Sequence, residues 1–297
     1  MLRTSVISFP GFGIKEFSVD SVAFSLFGKE IAWYAIIITC GMVAAVAYAT
    51  LMAKKIGITL EDVLDFAIWT IPIGIIGARL YYVIFDPDKS NYKSFIDVIA
   101  LWEGGLAIYG GIIAGALTVL VVSRIKKINF FAFADCVAPG VLLAQGIGRW
   151  GNFMNGEAYG ATTEIFCRMG LQNINTLIDF DTIEMVYVHP TFLYESLWNI
   201  LGFVLVNLFA KYIHKKYDGQ LFLLIFGWYG LGRMFIEMLR TDSLYIGAIR
   251  VSSLLGGLIF AACAGLLVYF AIKKPAKPLY RKAVANGNNT KNAKKGR

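Results

Sequence analysis

Seven stretches of the chain are almost wholly apolar, at about 31–52, 63–85, 104–123, 130–150, 190–210, 220–240 and 247–272. Each approaches the roughly 20 residues that an α-helix needs, at 1.5 Å per residue, to cross about 30 Å of hydrocarbon. Charges, glycines and prolines mark most of their ends. The pattern predicts an all-α polytopic membrane protein with seven transmembrane helices. Short loops set its orientation. Lys54 and Lys55, then Arg124, Lys126 and Lys127, then Lys211, Lys215 and Lys216, and finally a basic tail fall on one side. The other side holds mainly Lys89, Lys93 and Arg168. The first set is expected to be cytoplasmic, with the N-terminus outside and the C-terminus inside. The longest connection, about 151–188, then forms a small external segment. Residues 1–272 read as one membrane domain and 273–297 as a basic cytoplasmic tail, disordered beyond about Lys277.

Composition agrees with a bilayer setting. Of 297 residues, 57% are apolar and 16% charged, with a mean hydropathy of +0.62; a soluble domain carries roughly 25% charged residues. A soluble enzyme, a disulfide scaffold and a disordered protein are thereby excluded. The net charge of +8 comes from one place. Nine Lys/Arg and no acid lie from Lys273 onward, and the rest of the chain holds 19 basic and 20 acidic residues. That is a tail attracted to anionic lipid rather than a nucleic-acid face. Cys40, Cys136, Cys167 and Cys263 form no CxxC pair, so neither a metal site nor a disulfide framework is expected. The first 20 residues lack the long apolar core of a signal peptide, which predicts that the first span is retained.

Charges inside spans are costly and usually functional. Seven stand out: Arg79, Asp135, Arg149, Glu195, Arg233, Glu237 and Arg240. The topology puts all but Asp135 toward the outer leaflet, with arginine in excess, which suits an anion such as a phospholipid head group. Arg233, Glu237 and Arg240 have the i, i+4, i+7 spacing of one helix face. Two readings stand for several of them. Arg79 and Arg240 either serve the site or snorkel to the interface. Glu195 and Glu237 are either functional or ion-paired structural groups. Asp135 reads as a helix-start or structural residue.

Two stretches are unusual for spans. In GGLAIYGGIIAG, 104–115, five glycines permit close helix approach or an irregular backbone lining a cavity that Tyr109 would face. In GIGRWGNFMNGEAYG, 146–160, Arg149, Asn152, Asn155 and Glu157 lie between glycines where a span leaves the membrane. Polar side chains on flexible backbone are thus expected at head-group depth.

This second stretch resembles the signature of the prolipoprotein diacylglyceryl transferase family, G-R-x-G-N-F-x-N-x-E-x-x-G. Further stretches resembling that family follow in order: WEGGLAIYGG at 102–111, HPTFLYE at 189–195 and YGLGRMFIEMLRTD at 229–242. Tyr34 and GARLYYVIF at 77–85 also look like family positions, and the resemblance covers about 31–272. It implies transfer of the diacylglyceryl group of phosphatidylglycerol to the lipobox cysteine thiol in a prolipoprotein signal peptide. A thioether forms and glycerol 1-phosphate leaves. It also implies the bacterial cytoplasmic membrane, a site toward the outer leaflet, no cofactor and no metal.

Negative charge moves to the leaving phosphate in such a reaction, so preorganised arginines would stabilise it. By resemblance Arg149 and Arg233 are the principal candidates: one holds the head group and the other supports the leaving phosphate, in either order. Asn152, Asn155 and Glu157 would orient the head group, and Glu237 would position Arg233 or Arg240. Tyr34, Arg79, His189 and Glu195 complete the set expected around substrate. Many members of the family carry His where this chain has Tyr109. A free tyrosine, pKa about 10, is a poor base, whereas a free thiol near 8.5 is already partly ionised. A dedicated histidine base is therefore not obligatory, and Tyr109 is expected to hydrogen-bond a substrate oxygen. His189, before Pro190, is either an alternative base or a capping residue; His214 lies in a cytoplasmic loop. The competing class is a transporter or flippase for an anionic amphiphile, which would place polar groups at both leaflets or the midplane. A membrane scaffold leaves the GRWGNFMNGE density unexplained, and no HExxH supports proteolysis.

Overall fold

The computed structural model describes residues 4–86, 88, 92, 94–100, 104–173, 177–179, 182–241, 243–247, 249–273, 275 and 279–282. Four strands come first: β1 (Thr4–Phe9), β2 (Ile14–Asp20), β3 (Val22–Leu26) and β4 (Lys29–Ala32). The helices α1 (Trp33–Lys54), α2 (Leu60–Phe85), a short α3 (Phe95–Ile99), α4 (Ile108–Ile125) and α5 (Phe130–Asn155) follow. Next come β5 (Met169–Gln172), β6 (Leu177–Asp179), β7 (Thr182–Ile183) and β8 (Val186–Val188), then α6 (Thr191–Leu208), continued by a π-turn at Phe209–Ile213. The chain closes with α7 (Gln220–Ile236), a 3-10 turn (Glu237–Leu239), the two-residue strands β9 (Tyr245–Ile246) and β10 (Ile249–Arg250), and α8 (Val251–Lys273). Among the described residues seven helices are long and apolar enough to cross a membrane: α1, α2 and α4 to α8. The chain is therefore a multi-pass membrane protein. Large apolar side chains such as Leu51, Ile68 and Leu258 stand more than half exposed along these helices. Water would penalise that surface, whereas lipid does not, and helices satisfy their own backbone polar groups there.

The chain divides into two compact units. One comprises the described residues of Ala49–Cys136 and Leu279–Arg297. In it α2 begins with a capping box, Thr59 accepting from the Asp62 amide and Asp62 from the Thr59 amide. α2 and α4 touch through glycines: a β-carbon on Gly77 would strike Ala114, and one on Gly110 would strike the Gly77 carbonyl and Tyr81. Close approach thus accounts for Gly110 within the glycine-rich stretch. Asp62 pairs with Lys126 at 3.2 Å and Lys282 at 2.5 Å, and the Lys282 amide donates to the Ile56 carbonyl. Residues 279–282, expected to belong to a disordered tail, are instead held here, because the nearly buried Asp62 carboxylate attracts the lysine. Residues 283–297 lie outside the described residues, as do Trp102, Glu103 and Asp242 of the motifs and the loop lysines Lys89 and Lys93.

The other unit comprises the described residues of Met1–Tyr48 and Val137–Pro278. Its helices cover an apolar cluster of Ala138, Leu142, Val206 and Ile225. Its sheet has the antiparallel order β2-β1-β5-β8. Ile7, Val19, Met169, Leu171, Val188 and Phe192 form its core. The N-terminal residues and the long 151–188 connection therefore fold together, a pairing that span hydropathy does not reveal. α7 and α8 meet at Gly230 and Gly256, where a β-carbon on either would lie 2.7 Å from the other's carbonyl oxygen. Gly256→Ala is expected to destabilise the protein by about 1–3 kcal/mol through overpacking. Gly265→Ala, in the same helix with no atom within 4 Å of its added carbon, serves as control. Equal melting temperatures for the two variants would refute the contact.

Candidate active site

Three helices and one turn bring five charged side chains together. α6 starts at Thr191, whose hydroxyl donates to the Ala158 carbonyl at 2.5 Å, and this places Glu195 in the second turn. Arg149 comes from the last two turns of α5 and Arg233 from the last turn of α7. Helix α7 ends at Ile236, so Glu237 and Arg240 follow through the 3-10 turn. The single α-helical face expected for 233, 237 and 240 is thus interrupted, and Arg240 has extended backbone.

Glu195 is the hub. Its Oε2 lies 2.5 Å from Arg149 Nη2; its Oε1 accepts from Arg233 Nη1 at 3.3 Å and from Arg240 Nη1 at 3.1 Å. Glu237 Oε2 lies 2.6 Å from Arg233 Nη2, an ion pair without hydrogen-bond alignment. Both carboxylates are buried, at 5% and 2% exposure. Charge counting explains the arrangement: among the described residues three guanidiniums meet two carboxylates, so the acids offset most of the positive charge that burial would penalise. Removing either buried acid would leave cations facing one another in a medium of low dielectric. The Arg149 and Arg233 side chains are 22% and 19% exposed, against 9% for Arg240. Arg149 and Arg233 therefore present free N–H donors, while Arg240 is sealed in.

A polar string extends the cluster outward. Arg149 Nη1 donates to Asn152 Oδ1 at 3.4 Å; Asn152 Nδ2 and Asn155 Nδ2 both donate to Glu157 Oε1, at 3.0 and 3.2 Å. The first part of this signature is not on the flexible backbone expected from its glycines, whereas Gly156 and Ala158, both with positive φ, turn the chain after it. α5 continues through Asn155, and the glycines make room for α1: a β-carbon on Gly151 would lie 2.8 Å from the Tyr34 ring, and one on Gly148 3.0 Å from Ile38. Regular helix holds Arg149 and Asn152 one turn apart, which flexible backbone would not.

Two tryptophans fix the spacing of α6 and α7. Trp198 and Trp228 stack with centroids 4.2 Å apart, and each indole N–H donates to the other's carbonyl, at 3.0 and 2.9 Å. Added β-carbons on Gly202 and Gly232 would strike these rings. The clasp lies one turn from Glu195 and little more than one turn from Arg233. His189 is held by its backbone, its carbonyl accepting from Gly160 and its amide donating to Ala161, while Nδ1 lies 3.4 Å from Tyr194 Oη. Burial pushes the imidazole below its usual pKa, so the ring is neutral at neutral pH. Because the unfolded ring takes up its proton first, this contribution is complete above about pH 6.5 and is lost as pH falls toward the folded pKa. The wild-type melting temperature should drop between about pH 7.5 and pH 5, and that of His189→Gln should drop less. Parallel curves would show that the ring contributes nothing.

Arg79 and Tyr109 belong to the other unit. Arg79 is buried and its guanidinium donates to carbonyls of Val98, Gly104, Gly105 and Asp97, at 2.6–3.3 Å. Gly104 and Gly105 have positive φ, which orients those carbonyls. Tyr109 lies in the first turn of α4 and is partly buried. Asp135 is buried within α5. Arg250, which lies inside the apolar run 247–272 but was not among the charges singled out, donates through Nη1 to the Glu237 carbonyl at 2.5 Å. Its signal was a cation near the start of that run. Among the described residues no cluster of His, Cys, Asp and Glu has the form of a metal site.

Comparison with known proteins bears on this geometry. The model of the family described as prolipoprotein diacylglyceryl transferase matches residues 21–269. A protein of Listeria welshimeri named phosphatidylglycerol–prolipoprotein diacylglyceryl transferase is 45% identical over 256 residues, covering 86% of this chain and 91% of that protein. One of the same name in Enterococcus faecalis is 45% identical, covering 84% and 90%. One from Clostridium perfringens, named as enzyme 1 of that kind, is 42% identical, covering 88% and 99%.

Proposed function

This chain belongs to the prolipoprotein diacylglyceryl transferase family, and from that premise we propose that it transfers the diacylglyceryl group of phosphatidylglycerol to a prolipoprotein. The acceptor is the thiol of the lipobox cysteine. Its sulfur attacks the glyceryl carbon that bears the phosphate ester; the S–C bond forms as the C–O bond breaks. The bonding pair leaves with glycerol 1-phosphate, and the thiol proton is released. The phosphodiester monoanion thus becomes a monoester carrying one further negative charge.

The observation that carries this reading is the Glu195 hub, which ties three guanidiniums together and leaves donors open on Arg149 and Arg233. Preorganised donors stabilise developing charge without reorganising during reaction. Arg149 holds the head-group phosphate and Arg233 meets the charge on the leaving oxygen. Asn152, Asn155 and Glu157 orient the glycerol hydroxyls, and Glu237 keeps Arg233 in place. The site faces the outer leaflet of the bacterial cytoplasmic membrane. Supporting this side, Lys211, Lys215 and Lys216 lie between α6 and α7, at the ends of both helices opposite the cluster.

The test uses purified full-length protein in detergent, phosphatidylglycerol and a lipobox peptide. Glycerol phosphate release with a matching diacylglyceryl mass gain on the peptide is expected, absent with a Cys→Ser peptide. Folded protein that releases no glycerol phosphate but moves phospholipid across vesicle membranes would overturn the transferase reading in favour of transport.

A further inference from the structure

Beside the arginine cluster, residues of α7, α8 and the segment between them line a groove of about 690 Å³. Arg250 heads it, Met234 and Met238 form one wall, and Ser253, Leu254 and Leu258 form the other. Met238, Leu254 and Leu258 are each about half exposed, so the groove opens sideways. Ser253 to Leu258 advances about 7.5 Å along α8 into the span. The polar end therefore lies at the membrane boundary, and the apolar remainder points into hydrocarbon.

The cation at the head is held by neutral groups. Arg250 Nε donates to Tyr245 Oη at 2.6 Å and Nη1 to the Glu237 carbonyl at 2.5 Å; among the described residues no carboxylate pairs with it. A merely snorkelling arginine extends its donors into water. This one is pinned by two neutral oxygens, with Nη2 left over, beside an apolar slot. Methionine walls adapt to a flexible chain. A positive head above an apolar trough complements an amphiphile with an anionic head and long acyl chains.

We infer that this groove binds one anionic diacyl phospholipid, its phosphate on Arg250 and an acyl chain between Met234, Met238 and Leu258. The site is separate from the Glu195 cluster, none of whose guanidiniums line it. It does not depend on the transferase reading, because occupancy is measured without turnover.

The test is native mass spectrometry of the full-length protein, titrated with phosphatidylglycerol or with phosphatidylcholine of the same chains. Wild type is expected to retain one phosphatidylglycerol more than Arg250→Gln, with that lipid's preference over phosphatidylcholine falling about fivefold in the variant. The loss should be the same in wild-type and Arg149→Ala backgrounds, which separates it from any lipid held at the cluster. Arg250→Lys should keep most of the preference. Leu254→Trp, which fills the trough and leaves the arginine, should lose the lipid, and it keeps the test decisive if Arg250→Gln fails to fold. Unchanged preference in Arg250→Gln, equal retention of phosphatidylcholine by wild type, or equal competition by glycerol phosphate alone would overturn the inference.

Discussion

Glu195→Gln is expected to damage this protein more than loss of any single arginine it holds. The carboxylate receives Arg149, Arg233 and Arg240. The amide keeps one acceptor oxygen but turns an NH₂ toward guanidiniums that are themselves only donors. The three guanidiniums would then lose their shared counter-charge, while Arg233 would keep Glu237. Breaking a buried ion pair by removing one partner costs about 3–5 kcal/mol, and the melting temperature in detergent should fall accordingly. Activity should drop at least about 10²-fold, because the Arg149 and Arg233 donors lose their common anchor. A partial repair provides the sharper check. Adding Arg240→Gln to Glu195→Gln removes one of the repelling charges, so the double variant should be more stable than the sum of the single changes. Strict additivity, or a Glu195→Gln protein as stable as wild type, would show that the hub carries no such energy.

Arg149→Ala and Arg233→Ala should each reduce turnover by about 10²–10³-fold, the range for removing one preorganised donor from a site of developing charge. Folding should suffer less than in Glu195→Gln, since both side chains are partly open and Glu195 retains two other partners. Lysine should rescue poorly at either position. Arg149 reaches Glu195 through one η-nitrogen and Asn152 through the other, and Arg233 spans Glu195 and Glu237 in the same way. One ammonium on a flexible stem cannot hold that planar fork. The measurement is the initial rate of glycerol phosphate release at saturating phosphatidylglycerol. Near-normal rates in both alanine variants would remove these arginines from the chemistry.

Much of this was legible from the residues. Seven apolar runs dictate seven helices, because hydrocarbon offers no other partner to a backbone amide. Arg149, Glu195, Arg233, Glu237 and Arg240 stand out because charge within such runs is too costly to be incidental. Other features were not legible. Helix α5 runs through the first part of the glycine-rich signature, to Asn155, since Gly148 and Gly151 are used for packing against α1, and local composition does not distinguish these packing glycines from Gly156, which turns the chain. The sheet joins residues 4–20 to residues 169–188, and that pairing leaves no mark in short strands read singly.

The sequence alone therefore determined the spans, the ionisable groups within them and the excess of arginine, all of which follow from the price of polarity in lipid. Only the tertiary structure decided which charge meets which. Glu195 finds its arginines 46, 38 and 45 residues away, at 149, 233 and 240. Those meetings depend on the rotation and separation of α5, α6 and α7, set by the Trp198–Trp228 clasp and by glycine contacts. Arg79 and Arg250 make the same point: similar guanidiniums at the ends of spans, one enclosed by four carbonyls and the other left charged at the head of an open groove. Their difference lies in the neighbours that folding supplies, because the strength and availability of a charge are set by the groups that surround it.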